Sequence, residues 1–328
     1  MVHYEDWGAR SVRWAGIRSE RVYVHGTDVH LLRADAGRQA ADDAPVHLLI
    51  HPMAAGATLW LDTIEPLTAL GPVIAPDLPG AVLGETRSPH RAAVEAAAAA
   101  EFLHDLTTTL DLRDIVLHGW SFGGLITVLF AARHPERIAR VILVAPALPA
   151  PLSPGQRLAW RTLGAGIIAT APVVTRALVK LAAPRLIGMK QRLLASRADA
   201  TGGPTHAGID LTRVSPELRQ LLAEQLGQLR AHPDRLNDGV TAFASAVRSM
   251  YVNRAPVLAA VDRLAIPTML AWAEGDQFIE RPMIDALMAR RPDWHSHIFP
   301  SGGHLPPMES PAAYVDTLSR WLSSSSER

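Results

Sequence analysis

A serine on a glycine-rich turn is the residue of this sequence best suited to chemistry. Residues 119–124 read Gly-Trp-Ser-Phe-Gly-Gly, so Ser121 stands in a G-x-S-x-G pattern between an apolar run at 115–118 and a helical pattern at 125–133. The glycines let the backbone turn sharply and expose the hydroxyl, and the following helix points its positive end at it. This pattern predicts nucleophilic attack on a carbonyl carbon. A glycine-rich turn without catalysis is the alternative interpretation.

A serine hydroxyl needs a base to remove its proton, and histidine is the side chain most often used. His304 comes shortly after residues 295–299, which predict a strand. Ligands bind beyond the carboxyl ends of parallel strands, so we expect His304 at the same sheet edge as Ser121. His297 is the alternative base, but its position inside the strand pattern directs it into the sheet.

A histidine base needs a carboxylate that orients its ring and stabilises the imidazolium ion. Asp276 follows a predicted strand at 267–273 and lies between Ser121 and His304 in the chain. The order Ser, Asp, His is the one expected when the serine stands on a G-x-S-x-G turn. Glu274, in the same loop, remains the alternative acid, in which case Asp276 is a turn residue.

Acyl transfer also needs hydrogen-bond donors for the oxyanion that forms on the substrate. The backbone N–H of Phe122, next to the serine, is one predicted donor. The second is expected in the loop after a predicted strand at 46–50, which begins His51, Pro52, Met53. Proline has no N–H, so we predict that Met53 donates.

The elements that position these residues alternate between strand and helix patterns. Strands are predicted at residues 22–25, 29–33, 46–50, 73–75, 115–118 and 140–145, and helices at 58–70, 91–110 and 125–133. The first two strands read as a hairpin around residues 26–28. Alternation of this kind predicts an α/β fold with a doubly wound, mostly parallel sheet and helices on both faces.

The alternation stops in the middle of the chain and then resumes. Residues 147–262 show helical spacing and no convincing strand, whereas 263–328 again carry strands at 267–273 and 295–299. We therefore predict two parts of one α/β core, 1–146 and 263–328, separated by an inserted all-helical cap at 147–262. The last residues, 323–328, are expected to be disordered.

Taken in order, the four motifs resemble those of α/β-hydrolase fold serine hydrolases of the capped, esterase- or lipase-like kind. The similarity covers roughly residues 20–146 and 263–322. In such families the strand before the oxyanion loop is usually followed by His-Gly, and here Pro52 replaces that glycine. The resemblance implies a catalytic triad, an acyl-enzyme and hydrolysis of an ester bond without a cofactor.

The residue at the centre of the G-x-S-x-G turn narrows the range of reactions that the resemblance implies. Capped relatives that open epoxides or displace halide carry an aspartate there, whereas this chain has Ser121. Attack on a carboxylester, lactone or thioester is expected. Cleavage of a C–C bond beside a ketone and perhydrolysis stay open. Non-hydrolytic use of the same pocket, or ligand binding with little turnover, are the alternative functions.

The predicted cap is long and rich in apolar residues, which favours a bulky and largely apolar substrate. Packing of the cap on the core accounts for most of these side chains, and core packing is the favoured role of Trp120. The predicted substrate-binding residues are His51, Trp120, Trp160, Phe243, Met250, Tyr251 and Leu305.

Composition excludes several classes of function. The 328 residues include no cysteine, which removes thiol nucleophiles, disulfides and Cys-based metal sites. No residue spacing suggests a metal site of another kind. The 32 Lys and Arg balance 32 Asp and Glu, so a nucleic-acid partner is not expected. The longest apolar stretch, 162–175, is too short for a membrane span, and residues 1–19 lack the apolar core of a signal peptide. A cytoplasmic protein without integral membrane association is expected.

The neutral total conceals two charged parts of the chain. Residues 147–262 carry 14 Lys and Arg against 7 Asp and Glu, whereas the remainder carries 18 against 25. Solvated arginines on a helical surface are the ordinary interpretation. The division also predicts that an anionic or carrier-linked small-molecule substrate, or a membrane surface, approaches from the cap side.

Overall fold

The computed structural model describes residues 6–164, 166 and 211–326. Within these residues one sheet has the strand order β1-β2-β4-β3-β5-β6-β7-β8. Its strands are β1 (Arg18–Val24), β2 (Thr27–Ala34), β3 (His47–Ile50), β4 (Val73–Pro76), β5 (Ile115–Trp120), β6 (Ile138–Val144), β7 (Thr268–Ala273) and β8 (His295–Phe299). The pairs that involve β2 are antiparallel and all others are parallel. The predicted fold class, an α/β protein with a mostly parallel sheet, is confirmed.

Helices cover both faces of this sheet. They are α1 (Leu61–Leu67), α2 (Ala96–Thr109), α3 (Phe122–Ala131), α4 (Pro154–Ala159), α5 (Pro216–Ala231), α6 (Leu236–Val247), α7 (Ala255–Arg263), α8 (Arg281–Arg290), α9 (Pro306–Glu309) and α10 (Pro311–Ser326). On one face α2, α3 and α7 contribute to the larger core cluster. On the other face α1 and α10 pack into the second cluster. Every residue of α3 is buried, so the helix after the serine lies at the centre of the molecule.

Three element boundaries differ from the sequence-based prediction. The hairpin turns at His25 and Gly26, which both have positive φ, and Val24 pairs with Thr27. Positive φ at both central positions is typical of a type I′ two-residue turn, so the turn comes before residues 27–28. The helix predicted at 91–110 is interrupted at Glu95, whose extended backbone separates a short 3₁₀ turn from α2. The residues from 323 to 326, predicted to be disordered, extend α10.

Between β6 and β7 the described residues form helices and no strand. The last of these helices, α7, buries Val257, Ala260 and Val261 in the same core cluster as α3. We therefore propose that the cap segment ends before α7, earlier than the predicted boundary at residue 262. Residue 165 and residues 167–210 of the predicted cap lie outside the described part of the chain.

A buried chain of polar side chains lies behind the serine turn. The ring nitrogens of His47 on β3 and His118 on β5 are 2.9 Å apart, and Nδ1 of His118 is 2.8 Å from the Tyr314 hydroxyl on α10. Burial lowers the pKa of His47 to about 4 and holds that of His118 well below its usual range. Both rings are therefore neutral at neutral pH. The hydrogen bonds among these three side chains connect β3 and β5 to α10.

One buried carboxylate ties the loop after β4 to the loop after β3. Asp77 accepts the N–H of Ala57 on Oδ1 at 2.6 Å and the N–H of Glu85 on Oδ2 at 2.6 Å. Its Oδ2 is also 2.8 Å from Nδ1 of His30. Burial alone would raise the pKa of Asp77, but the hydrogen bond and charge of His30 outweigh it and lower that pKa. Burial works to lower the pKa of His30, and Asp77 raises it overall.

The Tyr314→Phe variant should lose stability. Removing the hydroxyl leaves Nδ1 of His118 buried without its partner, which costs about 1–3 kcal/mol in the free energy of unfolding. Urea unfolding measures the loss. Tyr23→Phe is the matched control, because that side chain is 70% exposed and its change should stay within about 0.5 kcal/mol. Equal stability of both variants would contradict a structural role for the buried chain.

The His30→Gln variant should lose stability in a defined pH window. The pKa of His30 is raised above 6.5, so its contribution is complete below that pH and is lost as pH rises through the folded value. The pKa of Asp77 is lowered below 3.8, so its contribution is lost only as pH falls through the folded value. We expect a loss of about 3 kcal/mol near pH 5, shrinking at alkaline pH. His90→Gln, at an exposed position, is the control. A loss that grows with pH would be inconsistent with this ion pair.

Candidate active site

The turn that carries Ser121 joins β5 directly to α3. β5 ends at Trp120, α3 begins at Phe122, and Ser121 between them has φ 54° and ψ −113°. Positive φ is uncommon for a residue with a side chain, and it persists only where the surrounding structure enforces it. The N–H of Ser121 donates to the carbonyl of Val144 at 2.8 Å, which anchors the turn to β6.

Two glycines allow the close packing that enforces this turn. A Cβ at Gly119 would lie 2.3 Å from Oγ1 of Thr127, and one at Gly123 would lie 2.5 Å from the carbonyl oxygen of Ile50. Both distances are shorter than any tolerable contact. The G-x-S-x-G spacing is therefore a steric requirement of packing α3 against β3 and β5.

His304 and Asp276 meet at the edge where β7 and β8 end. Nδ1 of His304 is 2.8 Å from Oδ2 of Asp276, and both side chains are buried. Oδ1 of Asp276 accepts the N–H groups of Phe278 and Ile279 at 2.8 and 3.0 Å. The carbonyl of His304 accepts the indole N–H of Trp120 at 2.9 Å, which fixes the histidine loop to the residue before the serine.

This geometry sets the tautomer of the imidazole. An ionised carboxylate only accepts, so Nδ1 of His304 carries the proton donated to Asp276 and Nε2 is left as an acceptor. The alternatives weighed from sequence are placed differently. Glu274 is exposed, and Nε2 of His297 is 3.5 Å from Oγ1 of Thr317 on α10. Burial lowers the pKa of His297.

Two contacts around the histidine were not predicted. The ring of Phe278 packs against the His304 imidazole with centroids 5.0 Å apart, and Phe278 is 52% exposed. Buried Glu309, the last residue of α9, accepts the N–H of Gly303. Both depend on how two loops fold together, so motif spacing offered no signal for them.

The two predicted oxyanion donors line one cavity. Met53 and Phe122 border a cavity of about 20 Å³ together with His51, Gly239 and Ala242. Within the described residues, the N–H groups of Met53 and Phe122 donate to no acceptor. Phe122 opens α3, where the first helical N–H groups have no intrahelical partner. Two residues that line the cavity therefore have backbone N–H groups without an acceptor among the described residues.

His51 is a fixed part of that wall. Its Nδ1 donates to the carbonyl of Pro52 at 2.8 Å, and its Nε2 accepts the N–H of Leu78 at 3.1 Å. Burial lowers the pKa of His51, against an opposing effect of the Asp77 charge. The neutral ring holds the loops after β3 and β4 together.

Other predicted substrate-binding residues do not border this cavity. Trp120 and Leu305 are buried in the second core cluster, where the Trp120 indole supports the His304 loop. Packing in the core is the role that the structure shows for these two side chains, and substrate contact stays a prediction for them. Met250 is also buried.

Two aromatic residues of the predicted cap stack on each other. Trp160 and Tyr251 stack with centroids 4.8 Å apart and planes at 23°. Each lies in a π-helical turn, Trp160–Gly164 and Arg248–Val252. Phe243 on α6 is 58% exposed. For these three residues substrate contact stays a prediction.

Two searches of the described ranges bear on other kinds of site. In 6–164, 166 and 211–326 no group of three or more His, Cys, Asp or Glu side chains could hold a metal ion. No helix in those ranges combines the length and apolar character that crossing a bilayer requires.

Known proteins resemble this chain in sequence and in fold. An uncharacterized protein of Mycobacterium tuberculosis (strain ATCC 25618 / H37Rv) is 27% identical over 287 residues, covering 86% of this chain and 76% of that protein. Pimeloyl-[acyl-carrier protein] methyl ester esterase of Neisseria meningitidis (serogroup C, strain FAM18) is 34% identical over 115 residues, 35% of this chain and 42% of the esterase.

The fold is shared with solved hydrolase structures. A membrane phospholipase A, described as a bacterial virulence factor, superposes with a TM-score of 0.65 at 24% identity, covering 97% of this chain and 90% of that one. The profile of the alpha/beta hydrolase family matches residues 48–317. That match takes in the Ser121 turn, the Asp276 loop and the His304 loop, and the chain therefore belongs to the alpha/beta hydrolase family.

Proposed function

We propose that the protein is a serine hydrolase that cleaves a carboxylester, lactone or thioester through Ser121, His304 and Asp276. The observation that carries this proposal is the buried 2.8 Å hydrogen bond between His304 and Asp276, formed by the histidine loop that Trp120 anchors beside the serine turn. A base whose tautomer is fixed by a carboxylate, next to a serine on a strained turn, has the parts needed for acyl transfer.

In the acylation step, Nε2 of His304 takes the proton of the Ser121 hydroxyl as its oxygen attacks the substrate carbonyl. Asp276 stabilises the imidazolium ion that results. The carbonyl oxygen becomes an oxyanion, which the N–H groups of Met53 and Phe122 receive in the cavity they border. The imidazolium then protonates the leaving group, and an acyl-enzyme remains on Ser121.

In the deacylation step, a water molecule gives its proton to Nε2 of His304 and attacks the acyl carbon. The same two N–H groups receive the second oxyanion. Collapse of this intermediate returns the proton to Ser121 and releases the acid. No cofactor takes part in either step.

The walls of the cavity support an apolar substrate. Apart from His51, its lining side chains are apolar and include Leu78, Val94 and Ile126. A cavity of about 20 Å³ holds roughly one water molecule, so a bulky acyl chain needs more room than these walls leave. We propose that α6, which borders the cavity through Gly239 and Ala242, moves outward to admit it.

The named activities of two relatives suggest two substrate classes to test. The esterase relative has a methyl ester on an acyl-carrier protein as its named substrate. A 2-hydroxy-6-oxo-2,4-heptadienoate hydrolase of Pseudomonas putida is 34% identical over 100 residues, 30% of this chain and 36% of that protein. Assays should therefore include p-nitrophenyl esters of graded chain length, lactones, acyl thioesters and a vinylogous diketone acid. Preference for the shortest esters would count against a bulky substrate.

The Ser121→Ala variant should lose covalent reactivity and turnover together. A fluorophosphonate probe should label the wild-type protein and leave the variant unlabelled, because the probe bonds only to an activated serine oxygen. Ester turnover should fall by about 10⁴-fold or more. Equal labelling of both proteins would contradict the role of Ser121. Labelling without hydrolysis of any substrate class would instead favour acyl transfer or ligand binding.

The two carboxylates of the β7 loop should differ in their effect on the rate. Asp276→Asn should lower kcat by about 10³–10⁴-fold, because an amide no longer fixes the tautomer of His304. Glu274→Gln is the matched control and should keep nearly full activity, since Glu274 is exposed. Steady-state kinetics on one p-nitrophenyl ester compares them. A large loss in the Glu274 variant alone would assign the acid to Glu274.

A further inference from the structure

A second, much larger cavity lies away from the serine turn, and we call it the arginine groove. It has a volume of about 670 Å³ and is open to solvent. Three parts of the chain form it: the β1–β2 hairpin, the loop at 85–89, and the junction between α5 and α6. Its lining residues are Arg21, Gly26, Thr27, Asp28, Glu85, Arg87, Ser88, Pro89, Gln228, His232 and Arg235.

The two carboxylates of the groove are already paired. Arg21 donates to Asp28 at 2.7 Å and to Glu85 at 2.8 Å, one bond from each terminal nitrogen. A single guanidinium group therefore bridges the two carboxylates. The remaining charged side chains on the wall are Arg87 and Arg235, and the exposed imidazole of His232 lies beside them.

Among the described residues, no carboxylate contacts Arg87 or Arg235 directly. In that part of the chain Arg87 makes no hydrogen bond or ion pair. Half-buried Arg235 has one long contact, from Nη1 to the carbonyl of Val82 at 3.5 Å, and its Nε is buried without a partner there. Burial lowers the pKa of Arg235, and the positive charge of Arg87 adds to that effect. The negative charges of Asp77, Asp234 and Glu85 oppose this lowering of the pKa. Two guanidinium groups thus line one cavity with no carboxylate hydrogen-bonded to either.

We propose that the arginine groove binds an anionic oxygen group, a carboxylate or a phosphate, between Arg87 and Arg235. A guanidinium presents a planar fork of N–H donors that matches both groups. The side chains of Gln228 and His232 border the same space and supply further donors. An anion there would balance the positive charges that the two arginines bring to one cavity.

Two segments of the chain contribute residues to both the groove and the cavity at Met53 and Phe122, although no described residue lines both. Arg235 lines the groove and immediately precedes α6, whose Gly239 and Ala242 line the smaller cavity. The loop at 77–85 borders the smaller cavity near its start and the groove at its end. The groove is therefore suited to hold the acid end of a substrate or the phosphate of a carrier arm. Anion binding stands by itself, whereas this use in substrate recognition rests on the proposed hydrolase function.

The binding experiment uses the full chain and inorganic phosphate or acetate as the probe. Isothermal titration or ¹H–¹⁵N NMR should give saturable binding, and Arg87→Gln or Arg235→Gln should each raise the dissociation constant by about tenfold or more, the loss expected for one charge-assisted contact. Arg38→Gln, which removes an exposed arginine outside the groove, should change nothing.

Ser121→Ala should bind the probe as the wild type does, so failure of the hydrolase proposal does not affect this result. Arg87 is exposed and its replacement leaves packing intact, which guards against a loss caused by unfolding. Equal affinity of the Arg87, Arg235 and Arg38 variants, or the absence of saturable binding, would overturn the proposal.

The kinetic experiment separates the two sources of the anion. Monoesters of dicarboxylic acids are compared with uncharged esters of equal length, and thioesters of phosphopantetheine with those of pantetheine. In the Arg87 and Arg235 variants KM should rise about tenfold for whichever charged member is the true ligand, with the uncharged member unchanged. Equal KM values within both pairs in wild type and variants would overturn a role of the groove in recognition.

Discussion

The strained backbone of Ser121 is the constraint on which the rest of the site depends. Its positive φ costs about 1–3 kcal/mol, and the surrounding packing must supply that energy. Fully buried α3 presses against β3 and β5 at two positions where only glycine fits. The chain of His47, His118 and Tyr314 then fixes the same two strands to α10 from the other face. The packing in this region therefore fixes the position of the Ser121 hydroxyl, since looser packing would let the backbone of Ser121 relax from its positive φ.

Two buried aspartates hold in place the loops around that hydroxyl. Asp276 accepts two backbone N–H groups and the ring of His304, while Asp77 accepts two backbone N–H groups and the ring of His30. A carboxylate buried with three donors is costly to disturb, because any loss leaves a charge without compensation. The shared pattern makes both loops rigid. The two histidines differ in their surroundings. The loop of His304 is bonded to Trp120, the residue before Ser121, whereas the imidazole of His30 is 3.0 Å from the Ser19 hydroxyl.

Local patterns in the sequence were enough for the sheet, the serine turn and the loops of Asp276 and His304. Each of these depends on a strand pattern followed by a short motif. Both signals come from residues that are close together in the chain. The polar chain behind the turn was beyond reach, because His118 and Tyr314 are 196 positions apart and only the finished fold brings them together. The predicted substrate-binding residues are hard to assign from sequence for a related reason. An aromatic residue beside a catalytic serine looks the same in sequence whether its ring fills the core, as Trp120 does, or borders a cavity.

Formal charge alone says little about where an anion would bind. The excess of basic residues at 147–262 and the excess of acidic ones elsewhere cancel over the chain, and at 0.1 M salt exposed charges are screened beyond about 10 Å. Pairing within a few ångströms decides the matter. In the arginine groove Asp28 and Glu85 are hydrogen-bonded to Arg21, so neither contacts Arg235 directly, although the charge of Glu85 still acts on it. The ion pairs that the carboxylates form thus determine which part of the surface attracts an anion. A chain with no net charge can therefore still have such a surface.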